Sequence, residues 1–245
     1  MTDHLPPPGD PPGRTPLYSI LRIALGTPLR GLARIRVSGA ERIPRKGPVM
    51  IAANHLSHID PILVIAGSRR KVHYMAKQEH FGHPLIGPVM RAIGQIETDR
   101  QLGASDALAQ ASGVLADGRV LGIFPEGTRS RREVAPLLQS GKTGIARLAA
   151  ANPDVPVHPC AIIGSREMWS PIHHRLPRLH RPVAVRFGHG VTWNTWLADP
   201  AGGGLDLDGI EGLSKNPESL RDHAGALFRG FTDQMMASIG ALGAP

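Results

Sequence analysis

Apolar residues in this chain come in short blocks rather than singly. Mostly apolar runs cover Ile35–Ser38, Val49–Ala53, Val72–Met75, Gln95–Thr98, Val120–Phe124, Val157–Ile163 and Val183–Phe187. Runs of this length, bounded by Gly, Pro or polar clusters, predict strands, and the continuously apolar ones predict strands covered on both faces. Between them the apolar positions take helical spacing, which predicts helices over Asp60–Ala66, Pro84–Ile93, Ser105–Ala116, Lys142–Ala151 and Glu218–Ile239. Strands alternating with helices predict an α/β fold: a single domain over 37–245 with a central mixed, largely parallel sheet flanked by helices. The stretch 164–182, with His173, His174, His180 and several prolines, reads as a loop, and so does 200–217 with Gly202, Gly203 and Gly204.

The pattern changes upstream of that domain. Residues 1–16 hold Pro6, Pro7, Pro8, Pro11, Pro12 and Pro16 with almost nothing to bury, which predicts a disordered or extended tail. From 17 to 36 the spacing turns helical. Leu17, Leu21, Leu25, Leu32 and Ile35 share one sector, and Arg22, Arg30 and Arg34 gather on the other. Gly26-Thr27-Pro28 interrupts the middle, so a bent helix or two short ones is expected. An apolar stripe faced by arginines is what an interfacial membrane helix needs, and equally what a surface helix packed on a core looks like.

Composition narrows the partners. The formal charge is +8, from 23 arginines and 5 lysines against 20 acidic residues. That excess suits phosphate groups or anionic lipid surfaces. The basic stretches lack aromatic interleaving and carry no nucleic-acid-binding motif, so nucleic acid is not an expected partner. No run reaches the 18 apolar residues needed to cross a bilayer, and the first residues lack a basic-then-apolar leader pattern. Cys160 is the single cysteine, so an internal disulfide framework is excluded, and its place on a predicted strand makes it a buried, inert thiol.

The densest chemistry lies in Asn54-His55-Leu56-Ser57-His58-Ile59-Asp60. A histidine acting as general base needs one ring nitrogen aimed at substrate and a partner on the other to fix its tautomer. Asp60 is a candidate partner. Residues five apart on one straight helix point about 140° away from each other, so the pair meets only if His55 sits on the turn before a helix and Asp60 in its first turn. A strand over Val49–Ala53 followed by a helix from Asp60 provides that. His58 allows a rival grouping, His55-x2-His58-x-Asp60, with three potential metal ligands, but the spacing matches no recognised metal motif, and no metal or other cofactor is expected.

A second polar turn follows the run Val120-Leu121-Gly122-Ile123: Phe124-Pro125-Glu126-Gly127-Thr128-Arg129-Ser130. Gly127 permits a tight backbone, and Arg129 can grip a phosphate with two parallel hydrogen bonds. Taken together, these residues resemble the glycerolipid acyltransferase family typified by 1-acylglycerol-3-phosphate acyltransferase, marked by an Asn-His-x4-Asp block and a Pro-Glu-Gly-Thr-Arg-Ser block. Two weaker family blocks are also in order: Gly94-Gln95-Ile96-Glu97-Thr98-Asp99-Arg100, and Val155-Pro156-Val157-His158-Pro159. Glu97 departs from the pattern, which is usually apolar or proline there. The basic residue expected before a glycine is also displaced, since Ser140 precedes Gly141 and the base is Lys142.

The resemblance implies an O-acyltransferase that moves a fatty acyl group from acyl-coenzyme A or acyl-carrier protein to the free hydroxyl of lysophosphatidate. It implies His55 and Asp60 as catalytic base and orienting carboxylate. Substrate-binding roles fall to Asn54, Gly94, Arg100, Glu126, Gly127, Thr128 and Arg129, with Arg100 and Arg129 on the acceptor phosphate. The Val155–Pro159 block is expected to pack a strand and shape an acyl tunnel. The implied partners are a membrane lipid acceptor, the thioester donor and an anionic membrane surface, with the protein peripheral on the cytoplasmic face of the cell membrane. Another lipid acceptor, or a lipid-binding protein without turnover, are the alternatives; acceptor-dependent release of free thiol separates the enzyme from the binder.

Overall fold

The computed structural model describes residues 35–77, 81–82, 87, 90, 95–98, 104–170, 176–205 and 217–245. The tail over 1–16, nearly all of the 17–36 segment, most of the helix expected at Pro84–Ile93, and Gly94, Arg100, His173 and His174 lie outside them.

Among the described residues, seven strands form one sheet: β1 (Ile35–Ser38), β2 (Val49–Ala53), β3 (Val72–Lys77), β4 (Ile96–Thr98), β5 (Val120–Ile123), β6 (Val157–Ile163) and β7 (Val183–Phe187). Their spatial order is β1-β7-β6-β2-β5-β3-β4. β6, β2, β5, β3 and β4 run parallel; β7 is antiparallel to β6, and β1 runs parallel to β7. The sheet is therefore mixed and largely parallel, as the alternation of elements predicts.

The helices are α1 (Asp60–Ser68), α2 (Ala104–Ala116), α3 (Gly144–Ala151), α4 (Ser165–Met168), α5 (Trp193–Ala198) and α6 (Pro217–Ala241). Pro61 favours the start of α1, where its missing N–H costs nothing. Two helices depart from the sequence reading. α4 is one turn inside the stretch read as a loop. α5 is entered through a Thr192/Thr195 capping box in which each side chain bonds the other's backbone N–H.

β2 explains the layering. All five of its residues are buried, with Val49, Ile51 and Ala53 in one apolar cluster and Met50 and Ala52 in the other. On the first face α1 contributes Leu63 and Val64 against Ile162, Val185 and Phe187. On the second, α2, α3, α5 and α6 contribute residues such as Leu115, Ile145, Trp193 and Phe231. A strand covered on both faces has no polar alternation to show, which is why β2 reads as an unbroken apolar run. Parallel pairing also brings the C-terminal ends of β2, β5 and β6 to one edge, where α/β sheets hold their ligands.

Candidate active site

Three chain segments leave that edge side by side: the turn after β2, the turn after β5, and α4 after β6. The first carries His55, and Asp60 is the first residue of α1, so the pair takes up the turn-then-helix arrangement that its spacing requires. His55 Nδ1 and Asp60 Oδ2 are 2.9 Å apart. The same oxygen accepts the backbone N–H groups of Leu56 and Ser57, each at 2.7 Å. Asp60 is fully buried, and its Oδ2 is thus fixed by the turn it serves. With the proton on Nδ1 held by this carboxylate, Nε2 presents a lone pair outward.

The ring of His55 is positioned from its other side by stacking. It lies on Phe124 with centroids 4.0 Å apart and planes 13° from parallel, and Phe124 lies in turn on Tyr74 at 5.1 Å. This column needs Gly122 beneath it, since a β carbon there would fall 2.3 Å from the Tyr74 ring. Neither Tyr74 nor Gly122 stands out in the sequence, because the contact joins β3 to β5.

Glu126 ties the two turns together. It is 2% exposed, and its Oε1 accepts the backbone N–H of His55 at 2.7 Å while Oε2 accepts that of Gln139 at 3.0 Å. Ser130 adds a rung by donating its N–H to His55 O at 2.9 Å. Burial raises the Glu126 carboxyl to about 7, against the pull of its two backbone donors. The folded chain therefore holds this proton up to about pH 7, whereas the unfolded chain releases it near 4.5. Between those values the native state binds more protons, so the Glu126 contribution to stability falls as pH rises through that window and is constant above it. Urea unfolding at pH 5 and at pH 8 should find the parent losing a few kcal/mol at most relative to Glu126→Gln. Equal pH slopes in the two proteins would mean that the carboxyl is ionised throughout.

Asn54 completes the sheet beside this turn. It is 1% exposed, its Nδ2 donates to Ile162 O at 2.9 Å and its Oδ1 accepts from Ile162 N at 2.7 Å. The side-chain amide thus stands in for the next peptide group of β2 and extends the β2–β6 ladder by one rung after the main chain has turned away. The Asn54 amide thereby holds the turn that carries His55.

Gly127 takes φ +73°, and a β carbon on it would lie 3.0 Å from Lys142 Nζ, so the Lys142 side chain crosses directly over this turn. Thr128 is exposed on the same turn. Arg129 is partly buried and its Nη1 donates to His58 Nδ1. Desolvation lowers the Arg129 pKa, and the neighbouring Arg131 charge adds to the effect. Among the described residues no carboxylate lies within ion-pair distance of Arg129, so an anionic ligand would meet a cation that is only partly hydrated. The fold therefore brings together His55, Asp60, Glu126, Gly127, Thr128 and Arg129.

The sequence reading passed over Ser57 and Trp169. Ser57 Oγ donates to Trp169 O at 2.6 Å, joining the histidine turn to the end of α4. Cys160 is fully buried, and burial with the nearby Asp60 charge drives its thiol well above the ordinary range, so it takes no part as a thiolate.

The chain matches the protein family described as Acyltransferase over residues 34–163, just over half its length. It is 33% identical to a 1-acyl-sn-glycerol-3-phosphate acyltransferase of Borreliella burgdorferi over 115 residues, 46% of each chain. It is 30% identical to the Bacillus subtilis protein of the same name over 149 residues, 60% of this chain and 72% of that one. The match to a lyso-ornithine lipid O-acyltransferase of Rhizobium meliloti is 28% over 158 residues, 62% of this chain and 51% of that one. The chain thus spans about half the length of the Borreliella relative. In fold it is similar to the 1-acyl-sn-glycerophosphate acyltransferase PlsC of Thermotoga maritima, with a TM-score of 0.58 and 21% identity over 90% of this chain and 81% of that one.

Proposed function

This chain belongs to the acyltransferase family, and on that premise we propose that it transfers a fatty acyl group from a thioester of coenzyme A or acyl-carrier protein to the free hydroxyl of lysophosphatidate. The single observation that carries the reading is the His55–Asp60 pair: a histidine held by a buried carboxylate on Nδ1, with Nε2 free to take a proton. The acceptor hydroxyl gives its proton to Nε2 as its oxygen attacks the thioester carbonyl. Collapse of the tetrahedral adduct forms the ester and expels the thiolate, which takes the proton back from the imidazolium. No covalent acyl-enzyme is needed, because a thioester is electrophilic enough for an alcohol deprotonated in place. Asp60 stabilises the imidazolium between the two transfers.

The acceptor phosphate falls to Arg129, with Arg100 as its expected companion. The names of the Borreliella and Bacillus relatives support lysophosphatidate as acceptor, and the Rhizobium relative makes another lyso-lipid the second reading. Release of free thiol from acyl-coenzyme A or acyl-carrier protein should depend on added lysophosphatidate; dependence on a different lyso-lipid in a panel would select the second reading, and none at all would remove both. Arg129→Ala should weaken acceptor use by about 2 kcal/mol or more, as for a charge-assisted bond left unmade. Thioester hydrolysis without acceptor should change little. Loss of donor affinity with acceptor affinity intact would reverse the assignment of the two substrates.

A further inference from the structure

Two loops beside the site carry the most exposed large apolar side chains among the described residues: Val134 at 79% and Leu176 at 78%. Both loops are tied to α4. The Arg166 guanidinium donates to the carbonyl oxygen of Arg132, two residues before Val134. On the other side, the N–H of Arg178 donates to Met168 O at 2.7 Å, two residues after Leu176. α4 is itself joined to the histidine turn through Ser57 and Trp169. The two apolar tips therefore flank the same edge of the sheet as His55.

Arginines surround the tips. Arg131, Arg178 and Arg181 are exposed, and among the described residues none has a carboxylate within ion-pair distance. Glu133 and Glu167 are the acids on these segments and leave the rim positive. Arg131 also acts electrostatically on Arg129, so the positive field runs from the rim into the site.

We propose that this rim, Val134 and Leu176 among Arg131, Arg178 and Arg181, is a docking surface for an anionic lipid bilayer, distinct from the 17–36 segment. The proposal rests on the lipid-acceptor reading above. A single-chain acceptor carries its hydroxyl near the headgroup plane, and apolar tips that enter the acyl boundary while arginines meet headgroups would bring that plane to His55. An acidic carrier protein would also meet the arginines, but it leaves two tips nearly fully exposed without hydrocarbon to enter.

The full-length protein should be sedimented with vesicles of phosphatidylcholine with and without phosphatidylglycerol, at 0.1 M and 0.5 M salt. Val134→Ser/Leu176→Ser should weaken binding by roughly tenfold or more at both salt concentrations, since burial of apolar surface is not screened. Arg178→Gln/Arg181→Gln should weaken it severalfold at low salt, and only on anionic vesicles. Turnover on a short-chain, water-soluble acceptor should match the parent in both variants. Unchanged sedimentation of both variants overturns the proposal. So does parent-like sedimentation with turnover lost only when acyl-carrier protein is the donor, which would assign the rim to that carrier. If the variants detach while the parent acylates no lyso-lipid, the docking surface stands and the reaction assigned above fails.

Discussion

Replacing His55 by alanine is expected to lower turnover at least about a hundredfold, the scale on which a positioned general base acts. The fold should survive, because the histidine side chain sits at the end of an aromatic column on the site's open edge and anchors nothing beyond it. Asp60→Asn should be nearly as severe for a different reason. An amide oxygen can still accept the N–H groups of Leu56 and Ser57, so the turn persists, but the imidazole loses the charge that orients it and stabilises its protonated form. Asp60→Ala should in addition cost about 2 kcal/mol or more of stability, since two buried backbone donors lose their acceptor. Steady-state kinetics beside a thermal melt separates these effects. A folded His55→Ala protein with near-parental turnover would remove the mechanism.

Asn54→Ala should be the most damaging substitution for stability near the site. The backbone N–H and C=O of Ile162 both lose their partner in a dry part of the sheet, at about 1–3 kcal/mol each. Asn54→Asp keeps the acceptor but sets a buried negative charge against the Ile162 carbonyl, and should be no better. Urea midpoints at unchanged m-value report the difference directly. A parent-like midpoint for Asn54→Ala would mean that the rung contributes nothing and that β2 and β6 are held by their main chains alone.

These two residues, adjacent in sequence, differ in how readable they are. The His55–Asp60 pair is local: five residues, a strand before and a helix after, so spacing alone dictates how the side chains can meet. Asn54 acts across 108 residues and Glu126 across 71. Nothing in either motif says which distant backbone group each side chain meets, so the hydrogen bonds they make are legible only in the fold. The Tyr74–Phe124–His55 column was hidden for the same reason.

The elements divide likewise. The seven strands among the described residues are legible to within two residues at either end, because most are short, mainly apolar runs bounded by turn residues. The order of the strands and the reversal of β7 and β1 are not, since an apolar run carries no direction. α4 is a single turn, too short for periodicity to register. α5 opens with Trp193, Asn194, Thr195 and Trp196, none of them a strong helix former, is only six residues long, and its capping box has threonine where glutamate or glutamine would have marked it.

The central position of β2 has a consequence during synthesis of the chain. Its residues emerge early, yet they pair with β5 and β6, and Met50 meets Val157 only after a further hundred or so residues have been added. At ribosomal speeds that is an interval of roughly 5–20 s. Until β5 and then β6 arrive, Val49–Ala53 is an uncharged apolar strand with an edge bare, the kind of segment that nascent chains recruit chaperones to cover. Substitutions that slow the arrival of β6, such as in the connection between α3 and Val157, should therefore reduce soluble yield in the cell before they alter the finished fold.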